Sequence, residues 1–280
     1  MVTVIALVAC DRPGTQNEPA PPTSTVPTTI APASTLPSPQ ALSADEMKAL
    51  EGSPASTPPL VDAIAPPTVA VDGLEGVPGP SPAFGPPDAA VRVYVFTDFQ
   101  CPVCRRTVEP LKLLARNRSN DVRVIVKHSA LPHHDQAALA ADASLAAFRQ
   151  GNFWAYHDQL FLRQRLDEPS LLATATAIDL DATQLIHDME DESVTAQVVY
   201  ETAVASRFRL TSTPTFVVNG HVQRGWASYH GLAAVVDREL ERARRIAAEG
   251  VPAPQVAYEA TKRSGEDGPA LAAALFEQAD

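Results

Sequence analysis

The spacing of hydrophobic residues changes along this chain, and each change predicts a different element. Residues 91–96 are mostly β-branched or aromatic, which predicts a buried strand. Apolar residues recur three or four positions apart over residues 104–116, the spacing of one helix face. Residues 121–128 predict a second strand. Because a helix connects the two strands, we expect them to be parallel.

Residues 135–207 carry no strand signal and a strong helical one. They predict a helical insertion between two halves of a sheet. Five helices are expected, over residues 136–150, 152–163, 170–178, 181–190 and 193–208.

The chain after the insertion predicts a hairpin and a long helix. Two strands, residues 215–218 and 221–224, flank Asn219-Gly220, which is the strongest two-residue turn signal. Residues 229–249 predict a helix that a glycine ends. Residues 251–280 form a C-terminal extension with an alanine-rich, helix-compatible stretch and no functional signal.

Proline divides the chain into two parts. Most of the 26 prolines precede residue 90, so the first third differs in kind from the rest. Residues 11–67 are rich in Pro, Thr, Ser and Ala, which cannot bury enough apolar surface to fold, and they predict a disordered tether. One domain is expected over residues 68–250, entered through an edge strand and turns within residues 67–90.

The first ten residues form an apolar run that ends in Cys10. This run resembles a bacterial lipoprotein signal, in which a small residue precedes a cysteine that becomes lipidated. It is too short to span a bilayer and lacks a positive n-region. The alternative is an apolar terminus with a chance cysteine. The lipoprotein resemblance implies a membrane association through a lipid on Cys10.

Charge and cysteine content narrow the classes of function. The formal net charge of −11 argues against a general affinity for nucleic acid, since no basic stretch could neutralise phosphates. Three cysteines are an odd number for an extracellular disulfide scaffold. They fit one lipidated residue and two that carry chemistry.

The strongest chemical signal is Cys101-Pro102-Val103-Cys104, placed where the first strand turns into a helix. Pro102 suits a first-turn position, which needs no backbone donor. Unpaired N–H groups and the positive end of the helix dipole favour a thiolate at Cys101. Cys104 lies one turn further along the helix, close enough to form a disulfide and better shielded from attack. This pair is expected to act as a two-electron redox switch.

Two other interpretations of the cysteine pair stay open. A stapling disulfide is disfavoured because so short a loop constrains the unfolded chain little. A zinc site usually needs four ligands, and the only other cysteine is Cys10.

These features together resemble the thioredoxin-like fold, in its DsbA-type branch of exported bacterial thiol:disulfide oxidoreductases. The resemblance covers roughly residues 68–250. It depends on four stretches, FTDFQCPVC from Phe96, KHSALPHH from Lys127, QGNFWAYHDQLF from Gln150 and STPTFVVNG from Ser212. It implies an α/β fold with a mixed central sheet and an inserted helical subdomain.

The resemblance also implies how the site works. Thr213–Pro214 should be a cis peptide bond in a substrate-binding loop facing the cysteines, and the alternative is a trans proline that starts a strand. The Cys101–Cys104 disulfide would itself be the redox group, with no further cofactor. Partners would be exported proteins that contain cysteines, together with a membrane redox partner. The protein would be lipid-anchored in the bacterial cell envelope, facing the periplasm or the exterior.

The direction and nature of the function stay open at this point. Disulfide donation, as an oxidase, is the favoured interpretation. The same residues could instead serve a reductase or isomerase. A binding or chaperone module with a vestigial cysteine pair is the alternative from another class.

This chain departs from the family pattern at two positions. Val95 stands where related enzymes often carry a buried acid, and Asp98 either replaces that acid as a proton relay or only caps the turn. Val103 stands where strong oxidants often have a histidine that helps to hold the thiolate. The absence of this histidine is expected to raise the pKa of Cys101 and to make the disulfide less oxidising.

The histidines are predicted to be structural. His128, His133 and His134 lie in or beside a proline-interrupted loop and are expected to make hydrogen bonds or to pack the loop, without binding a metal. His157 is expected to pack at the core edge beside Trp154 and Phe161.

Overall fold

The computed structural model describes residues 80–226 and 228–276. The lipoprotein-like signal with Cys10, the tether and the predicted start of the domain at residue 68 lie outside the described residues. Within the described residues, no helix is long and apolar enough to cross a membrane.

Five strands form one mixed sheet. They are β1 (Ala83–Phe84), β2 (Val91–Thr97), β3 (Val122–His128), β4 (Thr215–Val218) and β5 (His221–Arg224). Their order across the sheet is β1-β3-β2-β4-β5. The β2 strand pairs parallel with β3 and antiparallel with β4, which confirms the predicted parallel pair and the mixed sheet.

Ten helices are described around this sheet. They are α1 (Pro102–Arg105), α2 (Val108–Asn117), α3 (Ala137–Arg149), α4 (Phe153–Leu162), α5 (Glu168–Thr176), α6 (Ala182–Met189), α7 (Glu192–Arg207), α8 (Tyr229–Ala248), α9 (Ala253–Lys262) and α10 (Gly268–Phe276). The five predicted helices of the insertion correspond to α3–α7, which lie between β3 and β4 in the chain.

The helix predicted over residues 104–116 is in fact two helices. The chain leaves helical geometry after Arg105, and α2 begins at Val108. Pro110 explains the break, because it has no N–H to donate to the carbonyl of Arg106 and its ring crowds that carbonyl.

Alternation along β2 directs its side chains to two separate cores. Val91, Val93 and Val95 pack with α2 and α8 on one face of the sheet. Tyr94 and Phe96 pack on the other face, with α7, α9 and α10. A strand that is buried on both faces explains why the sequence shows a nearly continuous apolar run here.

The predicted hairpin turn forms at Asn219-Gly220. Both residues have positive φ, 43° and 88°, as a type I′ turn requires. Asn219 also ties the hairpin to β2, because its side-chain amide donates to the carbonyl of Ala90 and its oxygen accepts from the N–H of Arg92. A Cβ on Gly220 would lie 2.3 Å from Oγ of Ser264, so this position also needs glycine for space.

The C-terminal helices belong to the same core as the sheet. Leu271, Leu275 and Phe276 of α10 pack with Tyr94 and Phe96 of β2. The structural domain thus continues to residue 276, past the boundary at residue 250 expected from the sequence. The physical reason is that one face of β2 needs these helices to cover it.

Candidate active site: a buried dithiol beside a cis-proline loop

The two cysteines lie at the start of α1, directly after the central strand. Cys101 is the N-cap residue with an extended backbone, and Pro102 is the first helical residue. Pro102 is exposed and Val103 is half-buried. Both cysteines are free thiols here, Cys101 being 6% exposed and Cys104 fully buried. The strand-to-helix junction predicted from the sequence therefore places one sulfur nearer the surface than the other.

The predicted proline loop lies against the outer cysteine. The Thr213–Pro214 bond is cis, as predicted. Sγ of Cys101 lies 3.4 Å from the carbonyl oxygen of Thr213 and donates to it as a thiol. The tertiary fold thus joins two segments that are 112 residues apart in the chain.

The surroundings of Cys101 favour its thiolate. The Cys104 thiol is the largest influence and lowers the pKa of Cys101, burial opposes it, and the Thr213 hydroxyl and the backbone N–H groups of Cys104 and Val103 lower it further, to about 5. These donors outweigh the Thr213 carbonyl, which accepts only from the protonated thiol. Although Val103 supplies no histidine, other hydrogen-bond donors therefore still stabilise the thiolate of Cys101.

Cys104 has the opposite character. Burial raises its pKa well above the ordinary value of 9.0, and the hydrogen bond and negative charge of Cys101 raise it further. One sulfur of the pair is thus a thiolate near neutral pH, while the other keeps its proton. This asymmetry separates an attacking sulfur from a resolving one.

The carboxylate of Asp98 is occupied by loop contacts. One oxygen accepts from the N–H of Gln100 at 2.8 Å, and the other accepts from the N–H of Leu131 at 3.0 Å and lies 2.9 Å from Nδ1 of His134. Among the described residues, neither cysteine hydrogen-bonds to this carboxylate. The contacts match the capping alternative for Asp98, and His134 takes the expected hydrogen-bonding role.

A buried ionic cluster next to the site was missed by the sequence analysis. His128 is the ladder partner of Thr97 at the end of β2. The N–H and Nδ1 of His128 lie 2.7 and 2.9 Å from Oε2 of Glu201 on α7, while Nζ of Lys127 lies 3.4 Å from Oε1. Burial opposes the charge of Glu201, but Lys127 and His128 outweigh it and lower its pKa to about 2.

This cluster fixes the helical insertion to the end of β3, whose last residue pairs with the last residue of β2. A signal was available in the sequence. Glu201 lies on the same helix face as Val194, Val198 and Ala205, where a charged residue predicts a buried partner.

Comparisons with known proteins agree with this architecture. A protein-family model described as Thioredoxin matches residues 78–238. A thioredoxin-like oxidoreductase from Silicibacter pomeroyi DSS-3 is 31% identical, with a TM-score of 0.53, over 59% of this chain and 92% of that one. The thiol-disulfide exchange protein alpha-DsbA2 from Wolbachia pipientis shares the fold at 16% identity, with a TM-score of 0.52, over 56% of this chain and 86% of that one.

A curated relative is much longer than the matched region. The Na(+)/H(+) antiporter NhaA of Herminiimonas arsenicoxydans is 36% identical over 162 residues, which are 58% of this chain and 25% of the antiporter. The chain therefore spans about a quarter of that relative's length. The predicted thioredoxin-like fold is confirmed, and because the family model covers more than half of the residues of this chain, the chain belongs to the thioredoxin family.

Proposed function

We propose that this protein is an exported thiol:disulfide oxidoreductase that donates disulfides to cysteine-containing proteins. The observation that carries the proposal is the asymmetry of the pair. Cys101 is stabilised as a thiolate beside the Thr213 carbonyl, whereas Cys104 is buried and protonated. Family membership supports thiol–disulfide exchange in general, and this asymmetry supports the assignment of roles within the pair.

In the oxidase direction the Cys101–Cys104 disulfide is the oxidant. A substrate thiolate attacks Sγ of Cys101, the S–S bond to Cys104 breaks, and Cys104 takes up a proton. A second substrate thiolate then attacks the substrate sulfur of the mixed disulfide and releases the Cys101 thiolate. The substrate leaves with a disulfide, and the enzyme pair holds two electrons. A membrane redox partner then reoxidises the pair.

The low pKa of Cys101 favours this direction over reduction. The lowered pKa of Cys101 stabilises the reduced pair relative to a pair with an ordinary thiol. This stabilisation is absent below pH 5 and complete above the ordinary pKa of 9.0. At pH 7 it is worth about two pKa units, or ~2.7 kcal/mol. That energy stabilises the reduced pair and corresponds to a reduction potential raised by ~60 mV.

The test is the reduction potential of the pair in a series of glutathione buffers. The full chain with Cys10→Ser leaves only the two thiols of the site, and Cys101→Ser is the inactive control. A potential near or above about −150 mV supports disulfide donation, whereas about −250 mV or lower favours a reductase. If no disulfide forms at any potential, the enzyme proposal fails and a binding or chaperone module remains.

The location is a second part of the proposal. A lipid on Cys10 would place the domain at a membrane surface, on a tether formed by residues 11–67. Incorporation of radiolabelled palmitate in a bacterial host should be lost in Cys10→Ser and retained in Cys101→Ser. Labelling that is equal in Cys10→Ser and the original chain would exclude this anchor.

A further inference from the structure

A small cavity lies beside Cys104, and neither Thr213 nor Pro214 of the proline loop lines it. Its volume is about 20 Å³, and its lining includes Val95, Thr97, Cys104, Lys112 and His157. A volume of this size accommodates one water molecule. Val95 stands where related enzymes often carry a buried acid. It lines this cavity together with two basic side chains, those of Lys112 and His157.

Resolution of a mixed disulfide requires Cys104 to lose its proton. The sulfur is fully buried, so bulk water does not reach it, and burial disfavours the bare thiolate. A proton acceptor close to Cys104 would therefore speed the step. The carboxylate of Asp98 is not available for this role, because it is already hydrogen-bonded to Gln100, Leu131 and His134.

His157 has the chemistry of such an acceptor. It is 5% exposed and surrounded by aromatic rings, with centroids 5.0 Å from Phe161 and 5.4 Å from Trp154. Its Nδ1 lies 3.1 Å from Oδ1 of Asp158. A carboxylate only accepts, so Nδ1 carries the proton of the neutral ring and Nε2 is left as the basic nitrogen. Among the described residues, none hydrogen-bonds to Nε2.

The charges around His157 keep the ring neutral and ready to accept a proton. Burial lowers its pKa from 6.5, Asp158 opposes that shift, and Lys112 on α2 and His128 on β3 lower the pKa further. Lys112 also pairs with Asp158, which holds the carboxylate in place against the ring. The expected packing of His157 beside Trp154 and Phe161 is confirmed, but packing alone explains neither the shared cavity nor the carboxylate on Nδ1.

We propose that His157 accepts the proton of Cys104, through one water molecule in this cavity, when Cys104 resolves a mixed disulfide. The Cys104 thiolate then attacks Sγ of Cys101, a Cys101–Cys104 bond forms, and the substrate leaves as a thiolate. The imidazolium is stabilised by Asp158. In the oxidase direction His157 returns the proton to Cys104 as the disulfide opens. The inference deepens the proposed function and depends on it.

The experiment separates the two steps of reaction with oxidised glutathione. The reduced full chain carrying Cys10→Ser is mixed with oxidised glutathione, and samples are quenched in acid at successive times. Mass spectrometry then distinguishes the dithiol, the mixed disulfide and the internal disulfide. His157→Gln is expected to accumulate mixed disulfide because resolution slows by roughly 100-fold, the scale of general base catalysis. Attack by Cys101 should stay within about two-fold of the original chain, since the donors to its thiolate are unchanged.

The pH dependence distinguishes proton transfer from packing. In the original chain the resolution rate should be level where His157 is neutral and should fall as His157 protonates below pH 6.5. In His157→Gln this level region should be absent, and the rate should fall by about ten-fold per pH unit throughout, because only the small Cys104 thiolate fraction then reacts. Two controls are matched. Phe161→Leu disturbs the same cavity without removing a base, and His187→Gln removes an exposed histidine on α6. Both should retain the level region.

Each outcome has a distinct meaning. Equal resolution rates in folded His157→Gln and the original chain overturn the inference, and so does an equal loss in Phe161→Leu. If His157→Gln does not fold, Asp158→Asn takes its place. That variant should resolve about ten-fold more slowly because the ring tautomer is no longer fixed, and an unchanged rate overturns the inference. Failure of the original chain to form either a mixed disulfide or the internal disulfide overturns instead the proposed function.

Discussion

Replacing Cys104 by alanine is expected to raise the pKa of Cys101. The Cys104 thiol is the largest influence that holds this pKa near 5. A hydrogen bond to a charged group contributes about 1.5–3 kcal/mol, which equals ~1–2 pKa units. The alanine variant should therefore titrate at about 6–7. Cys104→Ser keeps a donor at the same position and should stay within about one unit of the original value.

The assay is the ultraviolet absorbance of the thiolate as a function of pH, with iodoacetamide alkylation as a second measure. On a Cys10→Ser background the two Cys104 variants have a single thiol, so their titration belongs to Cys101 alone. In Thr213→Val the Cys104 thiol remains, but its pKa lies well above that of Cys101. Alkylation should fall about ten-fold per pH unit below the measured pKa, because only the thiolate reacts. Thr213→Val removes a lesser donor and should raise the pKa by less than Cys104→Ala does.

The relative size of the rise in the pKa of Cys101 among these variants identifies the main donor. If Cys104→Ala titrates where Cys104→Ser does, the thiol donor has no effect, and the backbone N–H groups must hold the thiolate. If Thr213→Val gives the larger rise, the proline loop controls the pKa. Either result would refute the assignment of Cys104 as the main donor.

Three further predictions test the framework around the site. Glu201→Gln should lower the free energy of unfolding, measured in urea, by about 3–5 kcal/mol, because the Glu201 carboxylate no longer balances the buried charge of Lys127; a smaller change than about 1 kcal/mol would show that the pair is not coupled. The folded pKa of Glu201 lies below its ordinary 4.5, so stability should decline as pH falls from 4.5 towards about 2, with a weaker decline in Glu201→Gln. Phe276→Ala should cost about 3–5 kcal/mol by thermal unfolding, because its ring packs on Tyr94, whereas an unchanged midpoint would show that α10 is dispensable.

Local patterns in the sequence were enough for the strands and the turn. The β-branched run of β2 and the Asn219-Gly220 pair act through backbone preferences, which do not depend on distant residues. The break before α2 was missed although Pro110 marks it. The C-terminal helix α9 was also missed, although Val256, Ala257 and Ala260 repeat at helical spacing on its buried face.

The candidate site was predictable in part. The Cys101-Pro102-Val103-Cys104 motif fixes both thiols at a strand-to-helix junction, and the Thr213-Pro214 loop was identified through the family resemblance. The chemical environment of the thiols was not predictable. It depends on contacts between residues far apart in the chain, such as the carbonyl of Thr213 with Cys101 and the carboxylate of Glu201 with His128.

By itself, the sequence determined the order of the elements, the dithiol and the proline loop, because short-range sterics and motif spacing carry that information. Only the tertiary structure decided which sulfur is shielded, what lies beside it and what covers the sheet. Burial and desolvation arise when segments pack together, and these two effects separate the pKa of Cys101 from that of Cys104. The same packing places His157 on the cavity beside Cys104.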